Sequence, residues 1–457
     1  MTVFRLTGRW RWALALLTVA CLAAGAALWV INDLHSARWQ VASLPAQTQN
    51  DMGPRVIRGP YLQSMGATSV VVRWRTDVPT QSLLRFSQAQ PEGAADAGLA
   101  LAQERVEQVA EATTEHELTL RHLAPATSYN YSIGQGSDVV AGVPTPWGFR
   151  TAPEAGDAAA KKVRVWALGD SGTATAGARA VRDAFLKYTQ GQLPDVWLML
   201  GDNAYNTGTD VEFQAAVFET YPDLLARLSL WPTRGNHDQS QSPGHVAYFD
   251  IFSLPKDASA GGQPSGTEAY YSFDHGAVHF VCLDSYATSR KADAPMAQWL
   301  VRDLQNSTAR WKVAFFHHPP YTRGTHDSDH ERTMIEMRNN IVPLLETGSV
   351  DLVLSGHSHN YERSGLMASG HKLAAGGNGV VFHKRPGPRT GTVYVVAGAS
   401  GELGRKFTGL DHPAMEVSAT VLGSLSLELQ NDTAVVRYVD ANAQVFDTFS
   451  LQKDPLQ

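Results

Sequence analysis

The first feature of the hydrophobic pattern is an uncharged apolar run over Trp12–Ile31. Three arginines precede it: Arg5, Arg9 and Arg11. A run of this length can cross a bilayer as a helix, and the upstream arginines predict a cytoplasmic N-terminus with the rest of the chain exported. Residues 1–31 are therefore interpreted as an uncleaved membrane anchor or, alternatively, as a signal peptide cleaved near Ala24-Gly25-Ala26. The polar stretch 32–54 has no strand or helix periodicity and is interpreted as a tether.

Residues 55–151 carry the pattern of a small β-domain. β-branched residues dominate Ser69–Arg75, and Glu117–Leu120 alternates polar with apolar positions, as a half-buried strand does. Leu123–Tyr131 (LAPATSYNY) is similar to the corner of a fibronectin type III sandwich, where a tyrosine bonds back to the backbone. This resemblance implies an all-β fibronectin type III-like sandwich, with Trp74 as the core tryptophan of the opposite sheet.

From residue 163, after a linker at 152–162, strand patterns alternate with helical ones. The predicted strands are Val163–Leu168, Asp195–Leu200, Leu230–Thr233, two within Tyr270–Asp284, Trp311–Phe316, Val350–Leu354, Thr392–Val396, Ser424–Leu429, Val435–Val439 and Val445–Leu451. The predicted helices are Ala176–Tyr188, Val211–Leu228, Met296–Leu304 and Arg332–Glu346. This order predicts an α/β layered fold for residues 163–457, a sheet sandwich flanked by helices rather than one open parallel sheet.

Composition and charge narrow the classes of partner. The chain has 457 residues, of which 43% are hydrophobic, and this suits two or three globular units with buried cores. The formal net charge is −6 and no block of lysine or arginine is present. Electrostatic binding to a nucleic-acid backbone is therefore not expected.

Five of the apolar runs end abruptly in Asp, Asn or His, and in four of them a glycine stands just before the key residue. The five polar groups are Gly169–Gly172 (GDSG), Gly201–Tyr205 (GDNAY), Gly235–Asp238 (GNHD), His317–Pro319 (HHP) and Gly356–Arg363 (GHSHNYER). Because ligands collect outside the carboxyl ends of strands in α/β folds, we expect these groups at one rim. Oxygen and nitrogen donors without a thiolate suit Zn, Mn or Fe. So many donors fit two ions that share a carboxylate better than one tetrahedral ion.

In this order the five motifs resemble those of the purple acid phosphatases, a family within the metallophosphoesterases, many of whose members also carry a fibronectin-like module. The resemblance implies a calcineurin-like catalytic domain with a dinuclear metal site. It assigns an iron(III) ion to Asp170, Tyr205 and His359. It assigns a divalent Zn, Mn or Fe ion to Asn236, His317 and His357, with Asp202 bridging both ions.

The same resemblance points to two histidines that act on the substrate. His237, beside the asparagine ligand, would stabilise the leaving oxygen or donate its proton. His326 lies nine residues past His317 and matches a substrate-facing loop histidine of plant members, with His330 as the alternative. His318 is expected to pack or orient at the rim rather than to bind metal.

The activity implied by the resemblance is acid phosphatase activity, the hydrolysis of phosphate monoesters by a metal-bound hydroxide. The substrate would be a small phosphorylated compound on the exported side of a membrane. A phosphodiesterase or nucleotide-hydrolysing enzyme on the same metal core stays open, because the ligands do not set substrate size. A non-catalytic surface adhesion protein is the third interpretation, because a fold does not fix a function.

Overall fold

The computed structural model of the protein describes residues 53–90, 104–135, 138–139, 147–157, 162–239 and 246–454. The predicted anchor or signal at 1–31 and nearly all of the tether at 32–54 lie outside these residues and stay predictions. Within the described ranges, no helix is both long enough and apolar enough to span a bilayer.

The N-terminal part of the described chain, here called the β-region (residues 56–150), is built from strands. They are β1 (Val56–Gln63), β2 (Val70–Gln88), β3 (Arg105–Leu120), β4 (Ser128–Gln135), β5 (Asp138–Val139) and β6 (Trp147–Arg150). β2 is long enough to pair antiparallel with β1 and β3 and, through its second half, with β4. All six strands therefore belong to one hydrogen-bonded sheet.

Two side chains that the sequence singles out lie in the core of the β-region. The Tyr129 hydroxyl accepts a hydrogen bond of 2.8 Å from the Ala124 N–H, which is the return bond to the backbone that the fibronectin-like motif predicts. Trp74 is buried and stacks on the His116 ring, with 4.7 Å between ring centroids. Trp74 does not lie in a separate, opposite sheet, because its strand β2 also pairs with the strand of Tyr129.

Residues from 163 onwards form two seven-stranded sheets and a small hairpin. The strands are β7 (Val163–Leu168), β8 (Val196–Met199), β9 (Leu230–Pro232), β10 (Tyr271–His275), β11 (Val278–Cys282), β12 (Trp311–Phe315), β13 (Leu352–Ser355), β14 (Tyr361–Ser364), β15 (Leu366–Ala368), β16 (His371–Ala374), β17 (Val380–Lys384), β18 (Val393–Ala397), β19 (Met415–Ala419), β20 (Gly423–Gln430), β21 (Thr433–Asp440) and β22 (Val445–Lys453). One sheet has the order β17-β22-β21-β20-β7-β8-β9 and the other β10-β11-β12-β13-β18-β14-β19. Strands β7-β8-β9 and β11-β12-β13-β18 run parallel within their sheets.

The two sheets share one apolar core, and a second core lies on the other face of the β12 sheet. Along β12, Trp311, Val313 and Phe315 contribute to the core shared by both sheets. Ala314 and Phe316 contribute to a second core that also contains helix residues. Because alternate residues of a strand face opposite sides, β12 is covered on both faces. The predicted sandwich with flanking helices is confirmed.

The helices are short and some of them are interrupted. They are α1 (Ala176–Tyr188), α2 (Asp210–Phe213), α3 (Pro222–Leu225), α4 (Ala247–Ile251), α5 (Pro295–Asn306), α6 (Arg332–Glu336) and α7 (Val342–Thr347). A π-helical turn follows α2 at Gln214–Phe218 and another, Met337–Ile341, joins α6 to α7. The prediction of one helix over Val211–Leu228 was wrong, because the chain turns at residues 219–221 and Pro222 begins a new helix.

The β-region and the sheet sandwich belong to one compact unit, Val56–Gln457. Two arginines of the β-region hold the carboxylate of Asp210, the first residue of α2. Arg58 Nη1 lies 2.8 Å from Asp210 Oδ1, and Arg75 Nη1 lies 2.7 Å from Asp210 Oδ2. Arg73 Nη1 also donates to the Ile251 carbonyl at 2.8 Å. The domain boundaries at 55–151, 152–162 and 163–457 stay predictions.

A buried ion pair joins one sheet of the sandwich to the last strand of the other. Arg363 on β14 and Asp447 on β22 are 0% and 1% exposed, and Arg363 Nε lies 2.7 Å from Asp447 Oδ2. The Tyr361 hydroxyl donates to the same oxygen at 2.7 Å. Loss of one partner would leave the other charge buried and uncompensated.

We therefore expect Arg363→Met to lower the free energy of unfolding by about 3–5 kcal/mol. The matched control is Arg332→Met, which removes the ion pair of Arg332 with Glu336, where the arginine side chain is 90% exposed. An exposed pair of this kind contributes little to the free energy of unfolding. Urea unfolding followed by tryptophan fluorescence measures both variants, and equal losses in the two would contradict the role of the buried pair.

Candidate metal centre

The seven predicted ligands follow the carboxyl ends of five strands, and the structure brings them together at one rim of the sandwich. Asp170 follows β7, Asp202 and Tyr205 follow β8, Asn236 follows β9, His317 follows β12, and His357 and His359 follow β13. Both sheets therefore contribute to the same site.

Two glycines allow the loops of this rim to approach each other. A Cβ atom added at Gly235 would lie 2.1 Å from Asp202 Oδ1, which is well inside any allowed contact. Gly201 has a φ of +93°, and a Cβ atom there would lie 2.5 Å from the Nδ1 atom of His317. The close approach of loop to carboxylate and loop to imidazole thus requires glycine at both positions.

One group of donors surrounds the Tyr205 hydroxyl. That oxygen lies 3.0 Å from Asp170 Oδ1, 3.0 Å from Asp202 Oδ2 and 3.0 Å from His359 Nε2. His359 Nε2 is also 3.4 Å from Asp170 Oδ1. We call Asp170, Tyr205, His359 and the shared Asp202 the tyrosine cluster.

A second group of donors surrounds the Nε2 atom of His317. Asn236 Oδ1 lies 3.1 Å from it, His357 Nδ1 3.2 Å and Asp202 Oδ2 3.4 Å. His317 Nδ1 lies 2.9 Å from the Leu200 carbonyl oxygen, to which it donates its proton. Nε2 then faces the other donors, and on loss of its proton it offers a lone pair, as a metal ligand held by a backbone carbonyl does. We call His317, Asn236, His357 and the shared Asp202 the histidine cluster.

The electrostatics of both clusters fit bound cations. Asp170 and Asp202 are buried, and in the described part of the chain neither carboxylate pairs with a lysine or arginine. Burial alone would lower the pKa of His317, but the charge of Asp202 outweighs burial and raises this pKa to about 9. Burial and the two carboxylates raise the pKa of Tyr205 well above its usual value. Buried negative charge of this kind is costly unless a cation compensates it, so the residues present fit two metal ions.

Asp238 is a functional residue that the sequence analysis did not assign. It is fully buried, and its carboxylate accepts hydrogen bonds from the backbone N–H groups of Asn203, Ala204 and Gly235 at 2.7, 3.1 and 2.8 Å. It therefore fixes the loop of Asp202 to the loop of Asn236. The signal available in the sequence was the aspartate that closes the GNHD motif.

The two predicted catalytic histidines lie beside different clusters. His237 Nδ1 is 2.7 Å from the Asn206 carbonyl oxygen, and its ring lies 4.7 Å from the Tyr205 ring. His326 stacks on His357 with 3.8 Å between ring centroids. His330, the alternative to His326, has a side chain that is 80% exposed and pairs with Asp327.

Glu331 is a second residue that the sequence analysis missed. Its carboxylate accepts a hydrogen bond from His326 Nδ1 at 2.9 Å and one from the Asp327 N–H at 3.1 Å. Its Oε2 atom also lies 3.7 Å from His357 Nε2, which is buried without a hydrogen-bond partner in the described residues. No apolar run precedes Glu331. The pattern that indicated the other site residues, a polar residue at the end of an apolar run, therefore did not indicate this one.

His318 occupies the position between the histidine cluster and the protein interior. It is buried, its Nδ1 atom lies 3.0 Å from Ser285 Oγ, and its ring centroid is 4.3 Å from that of His357. Burial, together with the neighbouring histidines, lowers the pKa of His318 well below its usual value. Its contacts are those of a side chain that orients the rim.

Comparison with known proteins places these loops in a recognised domain. The calcineurin-like phosphoesterase family matches residues 163–361. Purple acid phosphatase 15 of Arabidopsis thaliana is 31% identical over 199 residues, covering 37% of this chain and 36% of that protein. The phosphoenolpyruvate phosphatase of Allium cepa is 26% identical over 337 residues, covering 70% of this chain and 64% of that protein. The chain thus spans between about a third and two thirds of the length of these curated relatives.

Solved structures share the overall fold. The purple acid phosphatase PPD1 of yellow lupin (Lupinus luteus) aligns with a TM-score of 0.67 at 15% identity, covering 88% of this chain and 74% of that one. PhoD aligns with a TM-score of 0.60 at 12% identity, covering 86% of this chain and 90% of that one. At such identities the likeness establishes the fold alone.

The close approach of the loops predicts that one methyl group added at Gly235 lowers the metal content of the protein. In Gly235→Ala the new Cβ atom would displace Asp202, and we expect the content of bound metal to fall about tenfold or more. Elemental analysis of protein purified without chelator measures it. Gly377→Ala is the control, because a Cβ atom there meets nothing within 4 Å. Full metal content in Gly235→Ala would show that Asp202 does not hold the ions in place.

Proposed function

This chain contains a calcineurin-like phosphoesterase domain homologous to those of the purple acid phosphatases, and on that premise we propose that it hydrolyses phosphate monoesters as an acid phosphatase. The observation that carries the proposal is the convergence of the tyrosine cluster and the histidine cluster on the shared carboxylate of Asp202. Two sets of donors that share one carboxylate are the arrangement used to hold a pair of ions for phosphoryl transfer.

In this proposal the tyrosine cluster holds iron(III) and the histidine cluster holds Zn, Mn or Fe(II). Both clusters offer oxygen and nitrogen donors, which suit these ions. When bound, the ions supply Lewis acidity toward the phosphoryl oxygens and lower the pKa of a water molecule. The chain itself contributes the fixed positions of the ligand atoms. The Asp238 carboxylate accepts hydrogen bonds that hold the Asp202 loop, and the Leu200 carbonyl accepts one that holds the His317 imidazole, before any substrate arrives.

His237 is proposed to protonate or stabilise the leaving oxygen. Its Nδ1 atom is engaged by the Asn206 carbonyl, so Nε2 is the nitrogen left for the substrate. Its ring packs against Tyr205, and its backbone N–H donates to Asp202 Oδ1 at 2.8 Å. The imidazole lies beside the tyrosine cluster, and we infer that it gives its proton to the leaving alcohol there.

His326 is proposed to bind the phosphoryl group from the opposite side. Glu331 holds its Nδ1 atom, which leaves Nε2 for the substrate, and the stack on His357 keeps the ring at the histidine cluster. Glu331 therefore acts as a positioning residue for His326. A small phosphorylated compound is the substrate that this arrangement supports.

The first test compares a monoester with a diester. We expect p-nitrophenyl phosphate to be hydrolysed with a higher kcat/KM than bis(p-nitrophenyl) phosphate, because a monoester carries up to two negative charges for the two ions to bind, whereas a diester carries one and brings a second aryl group. A reversed order would favour the phosphodiesterase. Loss of both activities in protein with a full complement of metal would favour the non-catalytic protein.

His326 and His330 form a matched pair within this test. His326→Ala should lower kcat on the monoester about 100-fold, within the range for a lost proton-transfer or binding group. His330→Ala should leave kcat unchanged, since that side chain is exposed and its ion pair among the described residues is with Asp327. Equal effects in the two variants would remove His326 from the proposal.

The second test concerns colour. If the Tyr205 phenolate binds iron(III), the purified protein should show a charge-transfer band in the visible spectrum. We expect the band to disappear in Tyr205→Phe and to persist in Tyr286→Phe, whose ring lies 6.1 Å from that of His318 and outside both clusters. A colourless, iron-free but active protein would refute the iron assignment and leave the phosphatase proposal standing.

A further inference from the structure

A small pocket lined by five basic side chains lies at the opposite end of β12 and β13 from the candidate metal centre. Its volume is about 180 Å³. We call it the basic pocket, and its basic side chains are Arg310, Lys312, Lys384, Arg385 and Lys453. Lys312 stands near the start of β12, whereas His317 follows the end of that strand. At about 3.3 Å per residue the two positions are on the order of 15 Å apart.

The buried charges of the basic pocket do not balance. Lys384 Nζ lies 2.7 Å from Asp351 Oδ1, and Lys453 Nζ lies 2.8 Å from Asp351 Oδ2. The side chains of Lys384 and Lys453 are only 2% and 11% exposed, and that of Asp351 is fully buried. A single carboxylate is thus shared by two buried ammonium groups.

Lys312 adds a further positive charge without a carboxylate bonded to it. Its ammonium group donates to the backbone carbonyls of Leu304 and Gly348 at 2.7 and 3.2 Å. Among the described residues, Asp351 is the one carboxylate bonded to these ammonium groups, because the nearby Asp303 is bonded to His279 and Ser272 instead, so the positive charges are in excess. Surplus charge in a largely buried place is costly unless a counter-ion binds.

The rim of the basic pocket adds to this surplus. Arg310 is paired there with Asp432, which is half-exposed, at 2.7 Å, and Arg385 is exposed. Burial, together with the nearby charges of Lys384 and Arg310, lowers the pKa of Lys453 to about 8 in spite of Asp351. Burial is the main cause of this lowering, and the neighbouring positive charges act in the same direction.

We propose that the basic pocket binds a small tetrahedral oxyanion, of which inorganic phosphate and sulfate are the two sources. The volume is large enough for one such anion with water molecules around it. Lys312 and Lys453 each donate to two protein acceptors, so each ammonium group keeps a third N–H with which to bind an oxygen of the anion in a charge-assisted hydrogen bond. The site is distinct from the metal centre, so the inference does not depend on the proposed function.

Equilibrium dialysis of the full-length, metal-loaded protein against radiolabelled phosphate tests the proposal. One phosphate should bind in the basic pocket, and the metal centre adds a second if its ions bind phosphate. The pocket phosphate is the one that substitutions in the pocket remove, and hydrolysis of p-nitrophenyl phosphate by the same protein is measured separately. Failure of the proposed function is thereby distinguished from failure of this inference.

The variants are Arg385→Glu, which reverses an exposed charge at the rim, and Lys453→Met, which leaves Asp351 paired with Lys384. Each should remove one bound phosphate or weaken its binding at least tenfold. Arg302→Glu, an exposed cation on α5 outside the basic pocket, is the control and should bind as the unaltered chain does. Unchanged stoichiometry and affinity in both pocket variants would overturn the proposal. Sulfate in a parallel competition series shows which of the two oxyanions the pocket prefers.

Discussion

Negative charge that is buried without a neighbouring lysine or arginine is the constraint on which the candidate metal centre depends. In the part of the chain that the structure describes, Asp170 and Asp202 contact a phenol, imidazoles and backbone N–H groups. Removing such charge from water is costly, and only hydrogen bonds and cations can compensate it. The surrounding loops supply the hydrogen bonds. The lone pairs of the ligand side chains converge where bound cations would balance the charge of the two aspartates.

This constraint extends into the fold because the donors come from both sheets. Asp170, Asp202 and Asn236 follow strands of one sheet, and the three histidines follow strands of the other. The distance between the two sets of donors is therefore set by the apolar core between the sheets, which includes Phe315 and Leu354. Packing in the core and geometry at the rim are thus parts of the same requirement. Neither sheet could form the site alone.

The features that could be predicted from the sequence are the strands that form continuous apolar runs and the polar residues that follow them. Val163–Leu168 and Trp311–Phe316 were found because buried parallel strands are continuously apolar, and the residues just after them became the candidate ligands. β14 was not found, because its Glu362 and Arg363 look like surface residues although both are buried. Asp238 and Glu331 were missed for a related reason. Their roles depend on which backbone N–H groups and imidazoles the folded loops bring to them, and no periodicity encodes that.

Asp210 stands five residues after Tyr205, and two arginines of the β-region hold its carboxylate. The segment that carries Tyr205 therefore leads directly to Asp210, which lies at the contact between the β-region and the sheet sandwich. If recombination exchanged the β-region for an unrelated β-sandwich, both arginines would be lost. The half-exposed carboxylate of Asp210, next to the segment that carries Tyr205, would then lack these two partners. The β-region and the sandwich are for this reason expected to be inherited together, and to diverge by paired substitutions at this contact rather than by shuffling of modules.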